Sequence, residues 1–186
     1  MSWLNEFVER LVALVPPPPP RSQVDLPDWD EVERTLGFPL PEDYKELVNL
    51  YGPGTFDDFL VVFQPNSSSQ YSELTHAIAE GADSLRSYAD SGEALPVPID
   101  QLLAIAGTDN GDTVYWVREP GASPDRWRIG VNGARDFDEW YLYESGLAQF
   151  LVSVLSREWV VPAFPEDFPY PDRAPVFNSR LPEQES

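Results

Sequence analysis

Cysteine is absent from this chain of 186 residues, and it holds a single histidine, His76, and a single lysine, Lys45. Without cysteine there is no disulfide, no thiolate zinc site and no cysteine nucleophile. His76 has no second histidine at metal-ligand spacing, and a general base needs an orienting partner and a nucleophile that the pattern does not supply. It reads as an ordinary surface residue, off the apolar stripe of the helix expected around it. No Gly-x-Ser-x-Gly elbow, P-loop or dinucleotide fingerprint occurs. Apolar runs fall short of the ~18 residues of a membrane span. The acidic, amphipathic start lacks the basic region and small-residue cleavage site of a secretory signal. The expectation is a cytoplasmic, non-enzymatic chain with no cofactor, no metal and no membrane association.

Basic charge is also scarce. Twelve Lys and Arg face 32 Asp and Glu, a net charge of −20 that nucleic acid and anionic lipid would repel. A basic protein is the natural partner; the alternative is acid kept for solubility alone. With 42% hydrophobic and 13% aromatic residues there is material for a real core, so the chain reads as one domain with extensions.

Residues 1–15 space Trp3, Leu4, Phe7, Val8, Leu11 and Val12 as an amphipathic helix that Ser2 can cap. Pro16 to Pro20 stop it and make 16–27 a stiff, proline-rich connector. Asp28 then caps a short helix carrying Trp29, Val32 and Leu36, which Gly37 ends. Leu40-Pro41 opens a second helix, with proline at its first position. There Tyr44, Leu47, Val48 and Tyr51 repeat at i, i+3, i+4 and i+7, until Gly52-Pro53-Gly54 breaks the pattern. A strand follows near 59–63 and a helix over about 70–90. Leu102 to Gly107 and Thr113 to Val117 read as a hairpin around Asn110-Gly111, the preferred pair for a two-residue type I′ turn. Further strands are expected around 127–131 and 137–143, and a closing helix over about 145–156. The stretch 157–186, rich in proline and loose aromatics, reads as a tail. This order argues α+β: a mostly antiparallel sheet with helices packed on one side.

Gly52-Pro53-Gly54 is no phosphate cradle, since proline lacks the N–H and Asp57 and Asp58 would repel the anion. Asp109-Asn110-Gly111-Asp112 fails the calcium-loop grammar, because Gly111 stands where its third position needs Asp or Asn. From Asp28 to Asp58 there are nine acids against Arg34 and Lys45. Asp28, Asp30, Glu31, Glu42 and Asp43 sit at helix N-termini, where the macrodipole favours them. Glu33, Glu46, Asp57 and Asp58 have no such local role, and are the candidate residues for meeting a basic partner.

Two stretches resemble the SUKH superfamily. One runs Trp29-x-x-Val-x-x-x-Leu36-Gly37, then Leu40-Pro41-x-x-Tyr44 and Leu50-Tyr51-Gly52-x-Gly54. The other runs from Leu102 to Ala106 through Asn110-Gly111-Asp112 to Tyr115-Trp116. The resemblance covers about residues 28–156. It implies an α+β domain that binds other proteins and catalyses nothing. Bacterial members resemble immunity proteins that neutralise polymorphic toxins, often nucleases; fungal members regulate cell-wall synthesis. A regulatory or scaffold role is therefore the alternative to immunity, and a carboxylate-pair hydrolase is a third reading. Trp29, Leu36, Gly37, Leu40, Pro41, Tyr44, Tyr51, Gly52, Asn110, Gly111 and Asp112 mark the fold and not the contact surface.

Overall fold

The computed structural model describes residues 5–180. Five helices run α1 (Glu6–Leu14), α2 (Trp29–Leu36), α3 (Glu42–Tyr51), α4 (Leu74–Asp90) and α5 (Leu147–Leu155). Seven strands are β1 (Gly54–Phe56), β2 (Leu60–Val62), β3 (Leu102–Thr108), β4 (Thr113–Val117), β5 (Arg128–Asn132), β6 (Trp140–Tyr143) and β7 (Phe177–Ser179). They form one sheet in the order β6-β5-β4-β3-β2-β1-β7, antiparallel throughout. The fold is α+β, as the element order implies.

Local signals set the helix ends. Asp28 accepts a hydrogen bond from the Glu31 N–H, and Gly37 takes a left-handed φ of 82° just past α2. The cap of α1 is Asn5, whose side chain accepts from the Phe7 N–H; Ser2, the expected cap, lies outside the described residues. Pro41 occupies the cap of α3 and not its first turn. From there the four apolar positions behave as their spacing demands: Tyr44, Leu47, Val48 and Tyr51 are each no more than 2% exposed. The Tyr44 ring meets Trp116 edge-on at 5.0 Å, and its hydroxyl donates to the Phe63 carbonyl at 2.7 Å.

The sheet is covered on both faces, which corrects the expectation of helices on one side. Leu103, Ile105 and Trp116 join a large core with α1, α3 and α5. Their neighbours Leu102, Ala104, Tyr115 and Val117 point the other way, into a smaller core with Leu85 of α4. This double burial explains why Leu102 to Ala106 is an unbroken apolar run instead of an alternation. Small residues let α4 come close: a Cβ on Gly81 would stand 2.9 Å from the Ala104 Cβ.

Beyond α5 the chain wraps the sheet. Trp159 stacks on Tyr143, Phe164 and Phe168 pack on Phe59, and β7 pairs with β1 from Gly54–Ser179 to Phe56–Phe177.

Candidate functional site: the turn end of the sheet

The antiparallel register carries three connections to one end of the sheet. Phe56 pairs with Leu60, Leu60 with Thr108, and Thr113 with Asn132. The β1–β2 turn (57–59), the β3–β4 turn (109–112) and the β5–β6 loop (133–139) therefore stand side by side.

The central turn differs from the expected two-residue type I′ hairpin. The Gly111 N–H bonds to the Thr108 carbonyl, the Thr108 N–H bonds to the Asp112 carbonyl, and Gly111 alone has a positive φ, 90°. This is a three-residue connection with glycine in the left-handed position. Side chains hold that register. Thr108 Oγ1 donates to Asp112 Oδ2 at 2.7 Å and accepts from the Asp112 N–H at 3.1 Å. The other oxygen of Asp112 accepts from the Ala134 N–H, tying this turn to the β5–β6 loop. The adjacent positive-φ pair is found instead at Asp57 (50°) and Asp58 (56°), where the Phe59 N–H bonds to the Phe56 carbonyl.

Asp57 is 1% exposed, so it is no surface contact. Its carboxylate accepts from the N–H groups of Tyr170 and Val176, at 3.1 and 2.8 Å, and from the Arg173 guanidinium at 2.8 Å. It anchors the tail. Asp58 is exposed and accepts from the Asn178 amide at 2.7 Å. Glu33 and Glu46 lie apart from both, in the helical layer. Glu33 accepts from the Leu40 N–H and from Lys45 at 2.9 Å. Partial burial works against its charge, but those donors outweigh it and hold its pKa below the ordinary value. Glu46 accepts from the Asn5 N–H at the start of α1. Each of the four acids thus has an intramolecular role, and the structure does not gather them on one face.

What gathers is a different set. Asp58, Asp109, Asp136, Asp138 and Glu139 are exposed on the three turns, against Arg135 and Arg180. Asp112 lies beneath, buried and hydrogen-bonded. Three depressions of about 310, 380 and 270 Å³ open here and meet at the hairpin tip. Gly111 lines the first and third, and Asp112 the first and second. Phe63 and Tyr71 border both the first and the third, and Tyr71 is 74% exposed. Asn110, Gly111 and Asp112, singled out as marks of the fold, thus form the ridge of the site. Trp29, Leu36, Gly37, Leu40, Pro41, Tyr44, Tyr51 and Gly52 belong to the helical layer and line none of the three depressions.

His76 lies on the wall of the third depression, 3.2 Å from Glu80 on the next turn of α4, with its side chain 38% exposed. Among the described residues no cluster of three or more His, Asp or Glu is arranged to hold a metal ion, and no helix is long and apolar enough to cross a membrane. The arrangement suits recognition: acids and exposed rings around shallow hollows on a rigid sheet end.

No curated protein and no solved structure matches the chain. The family model described as SMI1-KNR4 cell-wall (SUKH_6) matches residues 27–151, and the chain belongs to that family within the SUKH superfamily.

Proposed function

We propose that this chain is a non-catalytic immunity-type protein that neutralises a cognate basic toxin domain by stoichiometric binding through the turn end of the sheet. The observation that carries the proposal is the set of five exposed carboxylates on three adjacent turns around the hairpin tip. Charge of one sign on a rigid concave surface steers an oppositely charged partner and raises its on-rate. Against a nuclease, such a surface competes with phosphate for the basic cleft. A second reading, a regulatory or scaffold protein acting on a cellular partner, draws on the cell-wall description of the family.

The test is co-expression with toxin domains encoded in neighbouring reading frames. Protection together with a one-to-one complex supports immunity. On-rates are then compared at two salt concentrations for the wild type and for a triple reversal, Asp58→Lys, Asp109→Lys and Asp136→Lys. Reversal should slow association about tenfold or more at low salt and weaken its salt dependence. Equal rates would remove the turn end from the interface.

A further inference from the structure

Strand β6 ends the sheet, and its residues Trp140, Tyr141, Leu142 and Tyr143 pair with β5 in unbroken register from Ile129–Tyr143 to Asn132–Trp140. Among the described residues no strand lies on its other side. Open edges are templates for a further strand, and natural sheets blunt them with proline, lysine, a bulge or extreme shortness. The opposite edge, β7, is blunted: it has three residues and follows Pro175 closely. β6 has no such device. It contains no proline, no charge and no bulge, its residues favour the extended state, and Leu142 is 43% exposed.

The ends of this edge carry charge. Glu139 precedes β6 and Glu144 follows it. Next to its start, the Glu93 carboxyl lies against that of Asp138, with Asp136 close by; hydrogen bonding and repulsion from Asp138 raise the Glu93 pKa. Among the described residues none of these three acids has a cationic partner. Beside them the Phe137 ring, 40% exposed, stacks on Tyr88 at 4.5 Å and offers a face to a cation.

We propose that the open edge of β6 takes an extended basic segment of the protein partner as an additional strand, with one lysine or arginine of that segment seated at Glu93 and Asp138. Main-chain hydrogen bonds supply affinity in such strand addition, and alternate side chains supply selectivity. A second copy of this chain is the poorer occupant. Two copies repel through their net charge of −20 each, and antiparallel pairing of two β6 edges sets Glu139 of one toward Glu144 of the other. The proposal rests on the reading that the partner is a basic protein, and it concerns a surface beside the turn end.

The test uses the full chain and three synthetic nine-residue peptides: alternating lysine and valine, the same with a central proline, and alternating glutamate and valine. Binding is measured by titration, and amide exchange locates it. The lysine peptide should protect the amides of β6 that do not bond to β5, while the proline and glutamate peptides should not bind. Leu142→Lys and Asp138→Lys should each weaken the lysine peptide about tenfold. Asp138 sits on an exposed loop, so its variant serves even if Leu142→Lys disturbs the seat of that side chain over Gly130. Equal binding of the proline peptide, no binding of the lysine peptide, or a peptide-free dimer protected at 140–143 would overturn the proposal. Lysine-peptide binding that maps to the depressions, and is lost on reversing Asp58 and Asp109 but unchanged in Leu142→Lys, would also overturn it. That last outcome leaves the turn-end reading standing. Conversely, edge binding that survives while toxin association ignores reversal of Asp58 and Asp109 removes the turn-end reading and keeps this one.

Discussion

Replacing Asp57 with alanine strips three tail donors of the carboxylate they share. Two are backbone N–H groups, of Tyr170 and Val176, and the third is the Arg173 guanidinium. A hydrogen bond to a charged group contributes about 1.5–3 kcal/mol. The three are not additive, and the Arg173 side chain is 40% exposed, so solvent screens its share of the ion pair. The Asp57 side chain itself is fully buried, and leaving the two N–H groups without an acceptor there is the larger cost. A loss of about 3–4 kcal/mol follows for Asp57→Ala, a large fraction of the roughly 5–15 kcal/mol that holds a domain folded. Asp57→Asn keeps an acceptor oxygen and tolerates the positive φ of 50°, so it should lose about half as much. The loss should be local at first: tail amides of Tyr170 and Val176 exchange faster, while Leu47 and Val48 of the main core keep their protection. Urea melts give the total and amide exchange gives its location. An alanine variant within about 1 kcal/mol of wild type, with the Val176 amide still protected, would refute the reasoning.

Tyr44→Ala should cost about 3–5 kcal/mol in a denaturant melt, since the ring is 0% exposed and its hydroxyl is bonded to Phe63. Gly81→Ala should cost about 1–3 kcal/mol, because the new methyl meets the rigid Ala104 Cβ and α4 must move off β3. Asp43 is 8% exposed and accepts from the Ala148 N–H at the start of α5, while burial raises its pKa above the ordinary 3.8. An acid whose folded pKa is raised contributes most below its unfolded value, and that contribution is lost as pH rises through the folded one. Asp43→Asn should therefore melt at or above the wild type at pH 7, with the difference shrinking as acid protonates the wild-type carboxyl; a variant that melts below the wild type at pH 7 would contradict this. His76→Ala should leave partner binding within about twofold, as measured by titration, because the imidazole faces Glu80 of its own helix and none of the exposed carboxylates of the turn end.

Helices α2 and α3 were legible because their caps and apolar spacing are properties of a few consecutive residues: Asp28, Gly37, and the Tyr44 to Tyr51 stripe. The apolar run of β3 was legible as a strand, yet the run itself could not say that α4 covers its second face. That depends on Gly81 meeting Ala104, across the intervening chain. Asn110-Gly111 correctly marked the central turn but not its type, since the Thr108 and Asp112 side chains add bonds that favour the longer connection. Asp57 was misread for the same kind of reason. Its donors lie at Tyr170, Arg173 and Val176, and no short-range pattern records them. Two consecutive aspartates after a strand were the available hint, because Asp tolerates the left-handed region that a tight hairpin needs. The acidic turn end itself was out of reach, since Asp58, Asp109 and Asp136 come together only through the sheet register.

The pairing of β1 with β7 sets an order on biosynthesis. Phe56 is made 121 residues before its partner Phe177. At about 5–20 residues per second the interval is on the order of ten seconds, during which β1 offers a bare edge and Asp57 has no donor from the tail. The nascent chain must cross that interval with an aggregation-prone strand uncovered. A holdase bound to the emerging chain would shield it until the last strand arrives. Ribosome-stalled chains ending before residue 170 should accordingly be more sensitive to protease near Phe56 than chains stalled after residue 180 has cleared the exit tunnel.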